Sequence, residues 1–298
     1  MYPAPFNYHR AESVPDAVDM LSSLGEGARA LAGGQSLLVW LKLRYDEPTD
    51  LVDLGRIPNL DGIEVDGSKA RVGALATHAR LLRSDLGTAV PVLGDCANGI
   101  ADNQIRSRGT IGGSLAAGDP SCDWPPLLHT LDATIHCSGP DGDRQLDING
   151  FVEDLYQTAL KPGEIITGLE FDLPAAGSGG AYCSFKRCPA VYPTASVGVQ
   201  MTLTDGDVVD TIRVAMGSVG LTPLRSQAAE AELHGHNLTD ERIENAAAAA
   251  VATSEPVEDQ RGSAEFKKRI ISALFHRAVG IARRRCRGET VVNQPEYY

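Results

Sequence analysis

The stretch Thr110-Ile111-Gly112-Gly113-Ser114-Leu115-Ala116-Ala117-Gly118 places three glycines in nine residues, with no long polar side chain among them. A backbone of this composition turns through φ > 0 and comes close to a bulky ligand. Such a loop is expected to present N–H groups. A second glycine pair stands upstream in Leu31-Ala32-Gly33-Gly34-Gln35-Ser36-Leu37-Leu38, between a strand-like and a helix-like run. Two strand-glycine-helix units in one chain suggest two anion cradles for a diphosphate. Few basic residues flank either loop, so main-chain dipoles rather than lysines would neutralise the charge. Either loop alone also reads as a plain tight turn; the pair is the stronger signal.

Other chemistry is less well supported. The six cysteines, Cys96, Cys122, Cys137, Cys183, Cys188 and Cys286, include no C-x-x-C pair, and the reading is buried, reduced, structural thiols. His234-Gly235-His236 could chelate a metal, but no acidic or thiol partner is placed for it and a surface turn is the plainer reading. Neither a P-loop nor a G-x-G-x-x-G fingerprint occurs. No metal site is expected.

The elements that must position the loops follow from periodicity and caps. Ser13-Val14-Pro15-Asp16 caps a short amphipathic helix that stops at Gly25. Residues 28–32 read as a buried strand, 37–43 as a helix or extended run, and 51–54 as another strand. Strands over 60–65 and 70–74 flank the hairpin turn Asp66-Gly67-Ser68-Lys69. Thr77 caps a helix through Leu82, a second helical segment covers 92–101, and Asp123 stands where a helix could start before Trp124-Pro125-Pro126. Residues 133–137 return as a strand, Gly139-Pro140-Asp141-Gly142 is a turn, and 165–173 alternates like a half-buried strand. Pro174 to Gly180 is the most linker-like segment. Beyond it come three antiparallel strands at 181–187, 196–203 and 208–216, the last two joined at Asp205-Gly206, then helices at 225–233, 240–253 and 264–285.

The 298 residues suffice for two domains. The boundary falls between 1–176, itself divided at about 55 into subdomains 1–55 and 56–176, and 177–298. A net charge of -12 and a pI near 5.0 argue against a nucleic-acid partner. Met1-Tyr2-Pro3-Ala4-Pro5 has neither a basic start nor an apolar stretch, and no run is long enough for a membrane span, so a cytoplasmic chain is expected. The last helix carries Lys267, Lys268, Arg269, Arg277, Arg283, Arg284 and Arg285 beside an apolar stripe of Phe266, Ile270, Leu274 and Ile281. That cationic face either docks an acidic partner or is simply solvated.

Ala32-Gly33-Gly34-Gln35-Ser36-Leu37, Asn103-Gln104-Ile105-Arg106, Thr110-Ile111-Gly112-Gly113-Ser114, Asp119-Pro120 with Asp123, and Phe185-Lys186-Arg187 together resemble the FAD-binding medium subunits of molybdenum hydroxylases. The likeness is to the carbon monoxide dehydrogenase medium-subunit type; xanthine dehydrogenase carries the same flavin domain in a longer chain. It covers the sequence from Phe6-Asn7-Tyr8-His9-Arg10 to the final helix. One departure is Val39-Trp40-Leu41-Lys42 where many relatives have proline and methionines.

The resemblance implies an α+β chain: a two-part FAD-binding domain of the vanillyl-alcohol-oxidase-like type, then a smaller domain of a three-stranded antiparallel sheet with helices. It implies that both loops hold the FAD diphosphate and ribityl chain through main-chain N–H groups and the side chains of Ser36, Thr110 and Ser114. By the same likeness Ile100 and Ile166 are apolar flavin-site positions, Asp123 a hydrogen-bonding one, Lys186 a basic residue near the isoalloxazine, and Tyr192 an aromatic against the ring. The alternatives are a surface lysine and a core aromatic. The implied role is an electron-transfer subunit. It would take electrons from 2Fe-2S clusters in a small subunit, themselves supplied by a molybdopterin centre in a large subunit, and pass them to an external acceptor. A dimer of heterotrimers is the implied assembly. Two other functions compete: a self-contained FAD oxidoreductase of the vanillyl-alcohol-oxidase-like group, which needs its own acid-base residues, and a flavin-free scaffold.

Overall fold

A computed structural model describes residues 2–204, 206–294 and 296–297, the last two by backbone alone. Three sheets organise the chain. The first is wholly parallel, with Asp50–Asp53 central between Asn7–Arg10 and Ala28–Leu31. Parallel neighbours need a crossover; the helix Val14–Leu24 supplies it. Ser13 caps its start, Gly25 at φ 67° ends it, and Ala17, Val18 and Leu21 are buried. They join Ala28, Val52 and Leu54 in a small core.

The second sheet is antiparallel, in the order Ile63–Asp66, Lys69–Gly73, Ile165–Asp172, Thr134–Gly139, Gly142–Asp147. The expected hairpin at Gly67 and the expected turn at Gly142 are present, both glycines at positive φ, and the second also closes a hairpin. Between its second and fourth strands in sheet order run six short helices, from His78–Leu82 to Trp124–His129. They bury Trp124, Leu81, Leu93, Leu127 and Leu128 against Val72, Ile135 and Phe171. A fully buried leucine contributes about 1.5–3 kcal/mol by leaving water, so this layer is a rigid floor for whatever the loops above it hold.

The third sheet contains the three expected long antiparallel strands, Ser178–Lys186, Ala195–Leu203 and Val209–Gly217. Two short edges extend it: Leu224–Arg225 on one side and Glu296–Tyr297, running parallel, on the other. Two-residue strands carry no periodicity to read. Of the turn between the last long strands, Gly206 has φ 82°, while Asp205 lies outside the described residues. The helix Ala264–Cys286 covers this sheet through Ile271, Leu274, Phe275, Ala278, Val279 and Ala282. The buried stripe is thus displaced by one residue from the expected one: Ile270 and Ile281 are half-buried and Phe266 is exposed.

The expected cationic face of that helix is mostly spent inside the chain. Lys267 is buried on the Val257 carbonyl and near Asp259. Arg283 holds Asp207, Arg284 holds Glu289, and Arg285 grips both oxygens of Asp95 at 2.6 and 2.9 Å. Asp95 lies on the helix Pro91–Gly99, so this ion pair ties the third sheet's helix to the floor of the second. Among the described residues no helix is long and apolar enough to cross a membrane.

Candidate functional site

The first glycine loop links the strand Ala28–Leu31 to the helix Leu37–Leu43. Gly34 has φ 74°, and the first intrahelical bonds are Leu38 N–H to the Gly34 carbonyl and Trp40 N–H to the Ser36 carbonyl. Among the described residues, the N–H groups of Gly33, Gly34, Gln35, Ser36 and Leu37 find no protein acceptor. A run of unsatisfied donors around a bend is a binding concavity for an anion.

The second loop is different. Thr110 caps the helix Ile111–Ala116. Ile111 and Gly112 donate to the carbonyls of Ala76 and Ala74, Gly113 to Thr110 Oγ1 at 3.2 Å, and Ser114 to the Thr110 carbonyl. All the first-turn donors are satisfied within the chain, which corrects the expectation that this loop offers N–H groups to a ligand. The reason is the adjacent strand end: Ala74 and Ala76 present carbonyls to the helix start. Its glycines serve close packing instead. A Cβ on Gly112 would lie 2.5 Å from Ala74 Cβ, and one on Gly33 would lie 2.0 Å from the Arg108 carbonyl oxygen. The two loops therefore abut.

Between them lies an open cleft of about 290 Å³, at the lower edge of the roughly 300–1,000 Å³ of ordinary small-molecule sites. Ala32, Gly33, Gly34, Gln35, Ser36, Leu37, Thr110, Gly112, Gly113, Ser114 and Ile166 all line it. Ile111 belongs instead to the core beneath. Leu54, Ala74, Leu75 and Ile165 add an apolar wall, while Arg29 and Asp46, paired at 2.9 Å, stand on its border. Free donors in one loop beside an apolar wall fit the diphosphate and the apolar faces of a dinucleotide.

Asp123, Lys186 and the neighbour of Ile100 form a separate cluster. Asp123 does not cap its helix; its carboxylate accepts from Tyr182 Oη at 3.1 Å and Lys186 Nζ at 3.2 Å. Lys186, fully buried rather than a surface lysine, also donates to the Gly99 carbonyl at 2.6 Å. A buried ammonium requires such partners, and they hold it outside the cleft lining. Ile100 is fixed by Arg106, whose Nη1 donates to the carbonyls of Ile100 and Ala101 at 2.6 and 2.8 Å. Tyr192 comes to the border of the first loop, its hydroxyl facing Ser36 and Asp119 and its ring under the Arg261 guanidinium, 5.7 Å from the centroid. Trp40, the departure noted in the sequence, lines the cleft and meets Tyr156 edge-on at 5.7 Å.

Sequence reasoning missed His78. It lines the cleft and is 5 % exposed. Its Nδ1 accepts from Trp124 Nε1 at 2.9 Å, and burial with the nearby Arg106 charge holds its pKa down at about 4. The one available signal was its place directly after the Thr77 cap.

Five of the six thiols are buried or half-buried. Burial pushes Cys122 and Cys183 up to about 12 and Cys137 and Cys286 to about 11. Cys188 alone is exposed among the six. Among the described residues no three metal-ligating side chains gather, and His234 and His236 lie exposed in a turn.

Comparison with known proteins agrees with this geometry. Residues 4–175 match the family model of the FAD-binding domain in molybdopterin dehydrogenase, and 180–282 that of the CO dehydrogenase flavoprotein C-terminal domain. The carbon monoxide dehydrogenase medium chain of Hydrogenophaga pseudoflava is 39% identical over 96% of this chain and 100% of its own length. The 6-hydroxypseudooxynicotine dehydrogenase complex subunit alpha of Paenarthrobacter nicotinovorans is 34% identical over 96% and 97%. A solved structure of the Hydrogenophaga pseudoflava carbon monoxide dehydrogenase, in a form without the Mo-pyranopterin moiety, superposes with a TM-score of 0.94 at 41% identity, covering 96% of this chain and all of that one.

Proposed function

We propose a function from one fixed premise: the chain belongs to the family of FAD-binding medium subunits of molybdenum hydroxylases. It is the FAD subunit of a multi-subunit molybdenum-containing oxidoreductase, whose partner subunits carry molybdopterin and 2Fe-2S clusters. Its task is to pass electrons from a small 2Fe-2S subunit to an external acceptor, in a cytoplasmic dimer of heterotrimers.

The observation that carries the reading is the row of five free N–H donors, Gly33 to Leu37, along an apolar-walled cleft. These donors would hold the diphosphate; Ser36, Thr110 and Ser114 would bring hydroxyls to it. Bound FAD supplies the redox chemistry, taking up and releasing electrons in single or paired steps. The chain's own residues bind it, orient it and keep water from its buried face. Ile166 would pack on the cofactor, while Ile100, Asp123, Lys186 and Tyr192 would frame the flavin end from their adjoining clusters.

The division into 1–176, with subdomains meeting near 55, and 177–298 belongs to the same proposal, supported by the family-model spans. A self-contained oxidase would need free acid-base residues in the cleft; its histidine is engaged by Trp124, and its carboxylates, Asp46 and Glu164, are paired with Arg29 and Arg144. The purified chain should be yellow with one FAD and should oxidise no organic substrate until both partner subunits are added. Turnover by the chain alone, or purification without flavin, would refute it.

A further inference from the structure

Trp124 Nε1 is a donor only, so His78 Nδ1, at 2.9 Å, must be the unprotonated nitrogen. The ring proton is then on Nε2. Among the described residues that N–H has no protein acceptor, and His78, 5 % exposed, lines the cleft. Nε2 is not one of the enclosed atoms without a partner, so this N–H opens on the cleft and is free to donate to a ligand there.

The position narrows the ligand atom. A Cβ on Gly109 would lie 2.6 Å from His78 Nε2, and one on Gly33 would lie 3.0 Å from Gly109 Cα. His78 Nε2 therefore sits beside the crossing of the two glycine loops, next to the start of the free N–H row. We infer that His78 is a cofactor-positioning residue, a neutral imidazole whose Nε2–H donates to a diphosphate oxygen of the dinucleotide in the cleft. Trp124 sets the tautomer, and the second loop, rigid because its own donors are satisfied, holds the ring in place. The inference rests on the FAD reading and assigns the anion one further side-chain donor.

The test uses the full chain, stripped of flavin and labelled with 15N, and follows the His78 Nε2–H resonance. FAD and ADP, which carry the diphosphate, should each move it and slow its exchange with water; riboflavin should not. A Phe variant, His78→Phe, should weaken FAD binding about 10- to 100-fold, the value of a hydrogen bond to a charged acceptor. His78→Gln, which keeps a donor at similar reach, should recover most of that loss. FAD that binds stoichiometrically to the wild type without moving the resonance overturns the inference and leaves the function standing. A shift with riboflavin but not ADP overturns the diphosphate assignment. Failure of the wild type to bind FAD at all removes the function and this inference together.

Discussion

In the loop 33–37 five consecutive main-chain donors have no protein acceptor, whereas in the loop 110–114 the corresponding donors are consumed by Ala74, Ala76 and Thr110. Both carry a Gly-Gly-x-Ser or Gly-Gly-Ser signature, the first just before a short helix and the second in the first turn of one. Glycine content therefore does not decide which loop binds an anion. What decides is whether a neighbouring strand end supplies carbonyls. The second loop has one beside it and becomes part of the floor; the first has none on that side and keeps its donors free for a ligand.

The largest expected effect concerns the floor under the second loop. His78 donates its main-chain N–H to the Gly109 carbonyl and Thr77 bridges Thr110, so charging His78 should disturb that loop. Its pKa is about 4 when folded, against 6.5 for a free histidine. The unfolded chain thus binds a proton first as pH falls. Stability is full above pH 6.5, declines towards pH 4 and stays level below, a loss of about 3 kcal/mol. Denaturation followed by Trp124 fluorescence in a Trp40→Phe background should show this decline, and His78→Gln should lack it. An equal decline in the variant would show that other groups cause it.

Next in size is Gly112→Ala. Its Cβ would press on Ala74 Cβ, O and Cα within 2.9 Å, and overpacking of this kind costs about 1–3 kcal/mol. If the second loop is structural, the flavin-free chain should melt lower by that amount. If its unfolding temperature is unchanged and only flavin affinity falls, the contrast between the loops is mistaken. Gly33→Ala should behave in the opposite manner. Pushing the first loop off the Arg108 carbonyl misaligns the free donors, and FAD affinity should fall about 10-fold or more, equivalent to about 1.4 kcal/mol. The flavin-free melting temperature should move less than for Gly112→Ala.

Much of this was legible beforehand because caps and glycine punctuation are local. Ser13, Thr77 and Gly25 mark their helices correctly, and the Gly67 and Gly142 turns fall where read. The strand Gly142–Asp147 was not seen because its buried positions are few and its residues mostly charged or polar. Asp123 has the residue type of an N-cap, yet the buried ammonium of Lys186, distant in sequence, competes for its carboxylate and prevails. Likewise Arg285 looked like surface charge until Asp95 was placed beside it. Long-range ion pairs leave no periodic trace, so the side chains committed to them read as free. The same holds for two donors of the second loop, Ile111 and Gly112, whose acceptors lie more than thirty residues upstream.

The smallest effect gives the finest test of the contrast. Thr110 Oγ1 satisfies one donor, Gly113 N–H, at 3.2 Å, and Thr110 is 6 % exposed. Thr110→Ala removes a capping oxygen and should cost about 1 kcal/mol of stability, while Thr110→Ser keeps the oxygen and should restore most of it. The freed Gly113 N–H borders the cleft, where a bound anion could accept from it. The Thr110 hydroxyl, whose oxygen accepts from Gly113, keeps its own O–H to donate to the bound diphosphate, so the cost in Thr110→Ala should grow when FAD is present. Melting temperatures with and without saturating FAD measure that difference. A cost that shrinks with FAD would mean that the anion accepts from the freed Gly113 N–H instead, and that the Thr110 hydroxyl makes no contact with the cofactor.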